Sequence, residues 1–238
     1  MPQAKMDEIN IKALVHKIKK NNNPAASKFK LEILDGQGIK IGSLKPIDNW
    51  LANDQGVIDK LTRWRKTFKK FFLTQFTPTP ERTKNWLNSV VLPSDNRVLF
   101  LVYTDKSEIV GNFGICDLSQ NRVELDNLIR GEIGGHPRLI YFAELTMLRW
   151  LFRELGIPIV TLHVFSDNYN TILLHESVGF RKVASCDLAK EESEIELRFA
   201  TCDTPSKQAA SFTYLEMMLT SEEFEKAHKN QPFFPSVH

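Results

Sequence analysis

NYNTILLHESVGF, residues 168–180, decides the fold of this 238-residue chain. Asn168 closes an apolar, β-rich run over 157–165. A short helix over 170–178 follows, and Gly179-Phe180 ends it and opens another strand. His175 stands seven residues after Asn168 and four before Gly179. Just upstream, residues 139–155 carry the strongest helical pattern in the chain. Ile140, Ala143, Met147, Trp150 and Leu151 share one side, and Gly156 follows as the carboxyl-end glycine. A long helix, a strand, a short helix and a Gly-Phe that opens another strand is a layout that holds one long thin ligand between two splayed strands.

The pattern continues on both sides of that stretch. Residues 97–104, 109–118 and 123–129 read as three strands joined by tight turns, hence antiparallel. Gly111 and Gly114 mark a bulge or a close backbone approach in the middle one. Upstream, residues 54–73 have helical spacing through Val57, Ile58, Leu61, Trp64 and Phe68, and Thr79-Pro80 starts a further helix with Trp86 and Leu87 on its buried side. Trp64, Trp86 and Trp150 are read as packing. Residues 1–26 hold a short amphipathic helix with Ile9, Ile11, Leu14, Val15 and Ile18, ended by Asn21-Asn22-Asn23-Pro24. Residues 28–34 and 39–44 form a hairpin about Asp35-Gly36-Gln37-Gly38. Two strand-like runs, 195–201 and 211–219, flank a turn at 204–207, and Ser221 starts a last helix.

Composition narrows the function. Hydrophobic residues make up 42% of the chain, enough for a sizeable core, and the net charge of +2 argues against nucleic acid as a main partner. The lysine clusters at 17–20 and 66–70 are read as solvated faces. Three scattered cysteines, Cys116, Cys186 and Cys202, fit neither a disulfide framework nor a zinc site, and none has a neighbouring His for nucleophilic work. No apolar stretch approaches the roughly 20 residues of a membrane span, and the amino end lacks the apolar core of a signal peptide. The expectation is a soluble, cytoplasmic protein with no metal, no nucleic acid and no membrane partner.

From Arg97 onward the order is strand, strand, strand, helix, strand, helix, strand, strand. With Asn168, Gly179 and Phe180 in place, residues 44–219 resemble the GCN5-related N-acetyltransferases, the GNAT superfamily. ELDNLIRG, residues 124–131, looks like the family's fourth strand. The resemblance implies an α/β fold with a mixed, mostly antiparallel central sheet of about seven strands and helices on both faces. It divides the chain into an amino-terminal extension (1–44), a GNAT-like domain (45–220) and a carboxyl-terminal helix and tail (221–238). It also implies acetyl-coenzyme A as co-substrate and a primary amine that attacks the thioester directly.

The resemblance assigns roles residue by residue. A helix amino terminus supplies main-chain donors and a favourable dipole to a pyrophosphate. Here that helix starts near Leu139, and Gly134, Gly135, Arg138, Leu139 and Ile140 are assigned to the phosphates. Leu128, Ile129 and Arg130 offer backbone groups to the pantetheine arm beside a bulge that splays the strand, with a main-chain N–H near Leu128 or Ile129 for the oxyanion. Asn168 binds the arm from the opposite side. Two positions depart from the family: its glycine-rich loop pattern falls on Arg138 and Ile140, and His175 stands where Tyr is usual. His175 is assigned as the acid for the departing thiolate, with Tyr169 and Tyr141 as substitutes. His136 is read as a loop residue. The strand period puts Glu124, Asp126, Leu128 and Arg130 on one face. Asp126 is the first choice of base and Glu124 the second, against the alternative that Asp126 merely pairs with Arg130. The expected acceptor is a small molecule such as an amino sugar. A protein amino terminus, or a non-catalytic acyl-coenzyme A- or partner-binding module, is the alternative, and a homodimer is allowed.

Overall fold

The computed structural model describes residues 6–20, 29–202 and 209–228. The expected breaks at 21–24 and 204–207 lie outside these residues. In chain order the elements are α1 (Glu8–Lys19), β1 (Leu31–Leu34), β2 (Lys40–Pro46), α2 (Gln55–Thr67), β3 (Thr74–Phe76), α3 (Pro80–Trp86), β4 (Val98–Thr104), β5 (Ile109–Cys116), β6 (Arg122–Arg130), α4 (Leu139–Arg149), β7 (Ile159–Phe165), α5 (Tyr169–Val178), β8 (Arg181–Glu192), β9 (Glu196–Cys202), β10 (Tyr214–Thr220) and α6 (Ser221–His228). Helices α1, α2 and α3 start where a short polar side chain caps an open amide. Asp7 accepts from Asn10 N at 2.8 Å, Asp54 from Val57 N at 2.9 Å and Thr79 from Arg82 N at 3.2 Å. Both α3 and α4 run on into a wider, π-type turn, at Leu87–Val91 and Trp150–Glu154. Gly179 closes α5 in the left-handed conformation, φ 119°.

The strands form one sheet in the order β1-β2-β4-β5-β6-β7-β10-β8-β9-β3. Among the described strands only β6 and β7 pair in parallel. The sheet is therefore mixed and mostly antiparallel, as expected, but it has ten strands rather than about seven. The hairpin β1-β2 joins it through β2 and β4. β3, three residues long, pairs with β9 and is too short to show a period of two in sequence.

Two apolar layers sandwich the sheet. On one face Val98, Phe100, Val102, Phe113, Ile115 and Leu125 pack with α1 and α4. On the other, Leu99, Leu101, Tyr103 and Ile129 pack with α2 and with Leu87 and Val91 beyond α3. The described residues among the first 44 share the first layer: Ile11, Val15, Leu31, Ile33 and Leu44 are all buried, each worth about 1.5–3 kcal/mol of burial. Ile9, counted on the apolar side of α1, instead points to solvent, 79% exposed.

One lysine departs from the solvated face expected at 17–20. Lys19 is buried, and its Nζ donates to Val91 O at 2.8 Å and Ser94 O at 2.6 Å, tying α1 to the end of the α3 segment. Burial, with Arg97 nearby, pushes its pKa down to about 8. The charged form is thus favoured more in the unfolded chain, which binds more protons between about pH 8 and the ordinary lysine value near 10.4. Its contribution to stability should rise with pH across that window. Urea unfolding at stepped pH checks this: Lys19→Met should flatten the rise relative to the wild type.

Candidate active site

β6 and β7 pair from Arg122↔Ile159 to Leu125↔Leu162 and then part. Beyond that point β6 keeps only β5, and β7 keeps only β10, paired from Phe165↔Tyr214 downward. The cause is a bulge. Asn127 takes a positive φ of 52°, and the β5-β6 register slips between Asn112 and Gly114. Asn112 Nδ2 donates to Asn127 O and fixes the bulged peptide. Gly111 is obligatory beside it, because a Cβ there would sit 2.3 Å from Ile129 O. The gap between the parted strands opens into a cavity of about 810 Å3. Leu128, Ile129, Arg130, Asn168 and His175 line it from the strand and from α5. Glu124, Asp126, His163 and Tyr214 line it from the sheet, and Arg65, Phe72, Phe76, Arg82 and Trp86 from the α2-α3 side.

The bulge also corrects the expected strand period. Glu124, Asp126, Leu128 and Arg130 do not share one face. Glu124 and Asp126 face the cavity before the bulge. After it Ile129 joins the α2 side, Leu128 packs on the α1-α4 layer, and Arg130 turns to the loop before α4. The extra residue inverts the alternation.

Asp126 is held by Arg97 rather than Arg130. Its Oδ2 accepts from Arg97 Nη1 at 2.5 Å and from Asn127 Nδ2 at 2.6 Å. Glu124 Oε1 lies 3.0 Å from His163 Nδ1, and the His163 ring stacks on Tyr214 with centroids 5.0 Å apart. The hydrogen bond to Glu124 raises the His163 pKa above its ordinary value. Burial beside the Glu124 and Asp126 carboxylates likewise raises the Tyr214 phenol. Cys116, Asp117 and Glu124 bring ligand atoms within 4.8 Å of one another. Burial and the carboxylates Asp126 and Glu124 push the Cys116 thiol up to about 12, the wrong direction for a thiolate ligand or nucleophile.

His175 is buried, and its Nδ1 lies 2.6 Å from Glu144 Oε1. Glu144 comes from the middle of α4 and is fully buried, with Oε2 lacking a hydrogen-bond partner among the described residues. The carboxylate fixes the ring, and Phe180 meets it edge-on at 5.6 Å. This leaves Nε2 as the ring nitrogen available to a ligand. Tyr169 is 69% exposed and does not line the cavity, and Tyr141 lies under the Arg138 guanidinium at 4.1 Å. Neither stands beside His175 as a substitute on the cavity wall.

Asn168 caps α5 through its main chain: its O accepts from Thr171 N and Ile172 N, both at 3.1 Å. Its side-chain amide makes no hydrogen bond among the described residues and borders the cavity. The expected phosphate loop is built differently from the sequence assignment. Gly134 and Gly135 take φ of 152° and 66°, and Arg130 donates to Gly134 O at 2.9 Å and Pro137 O at 3.1 Å, pinning the loop. The Leu139 amide is already taken by His136 O at 3.0 Å, and its side chain is fully buried, so Leu139 offers a ligand nothing. His136 is indeed a loop residue, its Nδ1 accepting from Arg138 N at 3.1 Å. The next amides, of Ile140 and Tyr141, have no main-chain acceptor outside the helix, and Arg138 lies beside them.

Four residues of the cavity region escaped the sequence reading: Glu144, His163, Arg65 and Arg97. Two had a signal. Glu144 interrupts an otherwise apolar helix and His163 an otherwise apolar strand, and a buried polar side chain in such a run needs a partner. Arg65 and Arg97 lie in ordinary polar positions; the partner of Arg97 is 29 residues away, and Arg65 meets Phe72, Thr74 and Phe76 only through the turn that follows α2.

A mixed sheet with one parallel pair that parts at a bulge, flanked by a helix amino terminus, defines the class of acyl-transferase folds. The profile of the acetyltransferase (GNAT) domain matches residues 44–181, more than half of the chain, and the chain belongs to this family. Among solved structures it is similar to a probable GNAT-family acetyltransferase from Chromobacterium violaceum (15% identity, TM-score 0.57, covering 86% of this chain and 97% of that one). It is similar also to FdhC, a nucleotide-linked sugar GNAT in its apo form (13% identity, TM-score 0.58, 84% and 95%). A third is the spermidine/spermine N-acetyltransferase SpeG of Vibrio cholerae in mutant forms (13% identity, TM-score 0.52, 77% and 96%). At these identities the likeness is one of fold. No curated protein matches the chain significantly. Among the described residues no helix is long and apolar enough to cross a membrane.

The His163–Glu124 pair gives a measurable sign. The folded pKa is raised, so the pair's stabilisation is complete below the ordinary histidine value near 6.5 and is lost as pH rises through the folded value. An NMR titration should find His163 protonated above that value, and Glu124→Gln should bring the midpoint down.

Proposed function

We propose that the protein transfers an acetyl group from acetyl-coenzyme A to a primary amine, which attacks the thioester directly. The observation that carries this reading is the stretch of β6 that leaves β7, facing an Asn168 amide that has no hydrogen-bond partner among the described residues, across the gap. An extended ligand bearing amides can pair there like an added strand. Acetyl-coenzyme A, when bound, supplies an activated acyl group. The chain's own residues then divide the remaining work. Leu128, Ile129 and Arg130 present main-chain groups along the arm, and Asn168 holds it from the other side. The open amides of Ile140 and Tyr141, with the Arg138 guanidinium, suit the pyrophosphate, while Gly134 and Gly135 shape the loop.

Proton traffic runs between two His–Glu pairs. The Glu124 carboxylate, hydrogen-bonded to His163, takes the proton that the attacking amine gives up; Asp126, committed to Arg97 and Asn127, holds its charge nearby. On the far side His175, oriented by Glu144, gives a proton from Nε2 to the departing sulfur. The acceptor is read as a small amine such as an amino sugar. The nucleotide-linked sugar enzyme among the structural neighbours supports that choice and the polyamine enzyme keeps a second one in view. Pro137, without an N–H, and the occupied Leu139 amide favour the alternative of a module that binds a partner without turnover.

A thermal-shift titration separates these readings. Coenzyme A and acetyl-coenzyme A should each raise the melting temperature saturably, and Asn168→Ala should move that titration to higher ligand. No shift at millimolar ligand leaves the partner-binding module. In a thiol-release assay His175→Gln should lower turnover by about 100-fold or more while coenzyme A still stabilises the protein; an unchanged rate removes His175 from the mechanism. Glu144→Gln should alter the pH profile of turnover more than the KM for acetyl-coenzyme A.

A further inference from the structure

The wall of the cavity opposite β6 holds one cation without a counter-ion. Arg65 projects from α2 with its guanidinium carbon 3.4 Å from the Phe72 ring centroid and 5.4 Å from that of Phe76. Its Nη2 donates to Thr74 O at 3.0 Å. Among the described residues it makes no ion pair, whereas its neighbours are matched. Arg97 pairs with Asp126, and Arg82, 3.7 Å from the Phe76 centroid, has Nη2 3.6 Å from Glu196 Oε2. Asp126 is near enough to act on Arg65 through space. Burial outweighs that attraction and lowers the pKa to about 10, so Arg65 remains charged at neutral pH. A partly buried guanidinium with donors left over gains most from an anion that presents two oxygens to its planar fork. The same cavity holds the carboxylates Glu124 and Asp126, paired with His163 and Arg97 respectively, so neither is free to neutralise Arg65.

On the transfer reading above, we infer that the acceptor is an amine that also carries an anionic group, a carboxylate or a phosphate, received by Arg65 with Arg82 beside it. Its amino group lies at the Glu124–Asp126–His163 end, and its flat or apolar part lies along Phe72 and Phe76. A polyamine brings only positive charge to this wall and is repelled by Arg65 and Arg82. A neutral amino sugar leaves Arg65 unmatched.

The test compares matched acceptors in the thiol-release assay on the full chain. One series is a free amino sugar, its 6-phosphate and its nucleoside-diphosphate conjugate. A second is an amino acid and its amide, and spermidine stands as the cationic control. The anionic member of at least one series should exceed its neutral partner by about 10- to 100-fold in kcat/KM, the range expected of a charge-assisted hydrogen bond; the series that responds identifies phosphate or carboxylate. In Arg65→Met the ratio of anionic to neutral acceptor should collapse toward one, and in Arg65→Lys it should fall between. Equal or better use of neutral acceptors or spermidine by the wild type overturns the inference and leaves acetyl transfer standing. So does an Arg65→Met variant that slows all acceptors alike, the signature of a merely structural guanidinium. Should Arg65→Met not fold, the wild-type ratios and Arg65→Lys decide. If no amine releases thiol although coenzyme A still stabilises the protein, the transfer reading fails and the inference with it.

Discussion

Everything at the site depends on two neighbouring strands that stop pairing while still inside the sheet. Main-chain N–H and C=O groups buried without partners are costly, and native folds leave few of them. After Leu125↔Leu162, one edge of β6 loses its partner, so a gap of this kind persists only if the rest of the molecule holds it open. β5 grips β6 through Gly111 and Asn112, and β10 grips β7 along its full length. The bulge at Asn127 bends β6 away from β7, and the side chain of Asn112 locks the bulged carbonyl. The flanking strands therefore leave the gap as an unfilled strand position.

The electrostatics follow from that geometry. Glu124 and Asp126 face the cavity before the bulge, and after it the Arg130 guanidinium reaches the loop ahead of α4. The carboxylates consequently share the cavity with arginines from α2 and from the start of β4, while Arg130 fastens the loop that precedes α4. Two His–Glu pairs result, with different surroundings. Glu144 and His175 are enclosed between α4 and α5, where the low dielectric makes their contact strong and separation expensive. Glu124 and His163 are partly open, and the hydrogen bond to Glu124 raises the His163 pKa. A fixed ring on one side and an exchangeable proton on the other suit the two halves of an acid–base reaction.

Much of this order is legible in the sequence because it is local. The strands from β4 to β6, the α4 helix, the α5 helix with its Gly179 stop, and the cap Thr79 all announce themselves within a few residues. What escapes is long-range. β3 has too few residues for a pattern, and the joining of β2 to β4 is decided by pairing rather than by either strand alone. The face of every residue after Asn127 cannot be read by counting twos, because one inserted residue inverts the count. Asp126 meets Arg97 across 29 positions and Glu144 meets His175 across 31. The chain announces that Glu144 and His163 need partners, without saying which. Lys19 shows the reverse error: its lysine-rich neighbours suggest solvent, but its place on the helix turns it inward to two carbonyls.

On the proposed reading, the loop before α4 meets the needs of phosphate binding with a changed motif. A glycine-rich loop serves a phosphate by exposing several amides at a helix start, where the dipole adds its favourable field. Here Pro137 removes one amide, and the carbonyl of His136 takes that of Leu139. Ile140 and Tyr141 remain, with the Arg138 guanidinium stacked on the Tyr141 ring. On the transfer reading proposed above, fewer main-chain donors at this end put more of the recognition on the parted strands and Asn168. Arg130 makes the two ends one unit: the strand that lines the gap also clamps the carbonyls of Gly134 and Pro137. A ligand that settles against β6 thereby meets a loop already held in place, and little ordering of the loop remains to oppose binding.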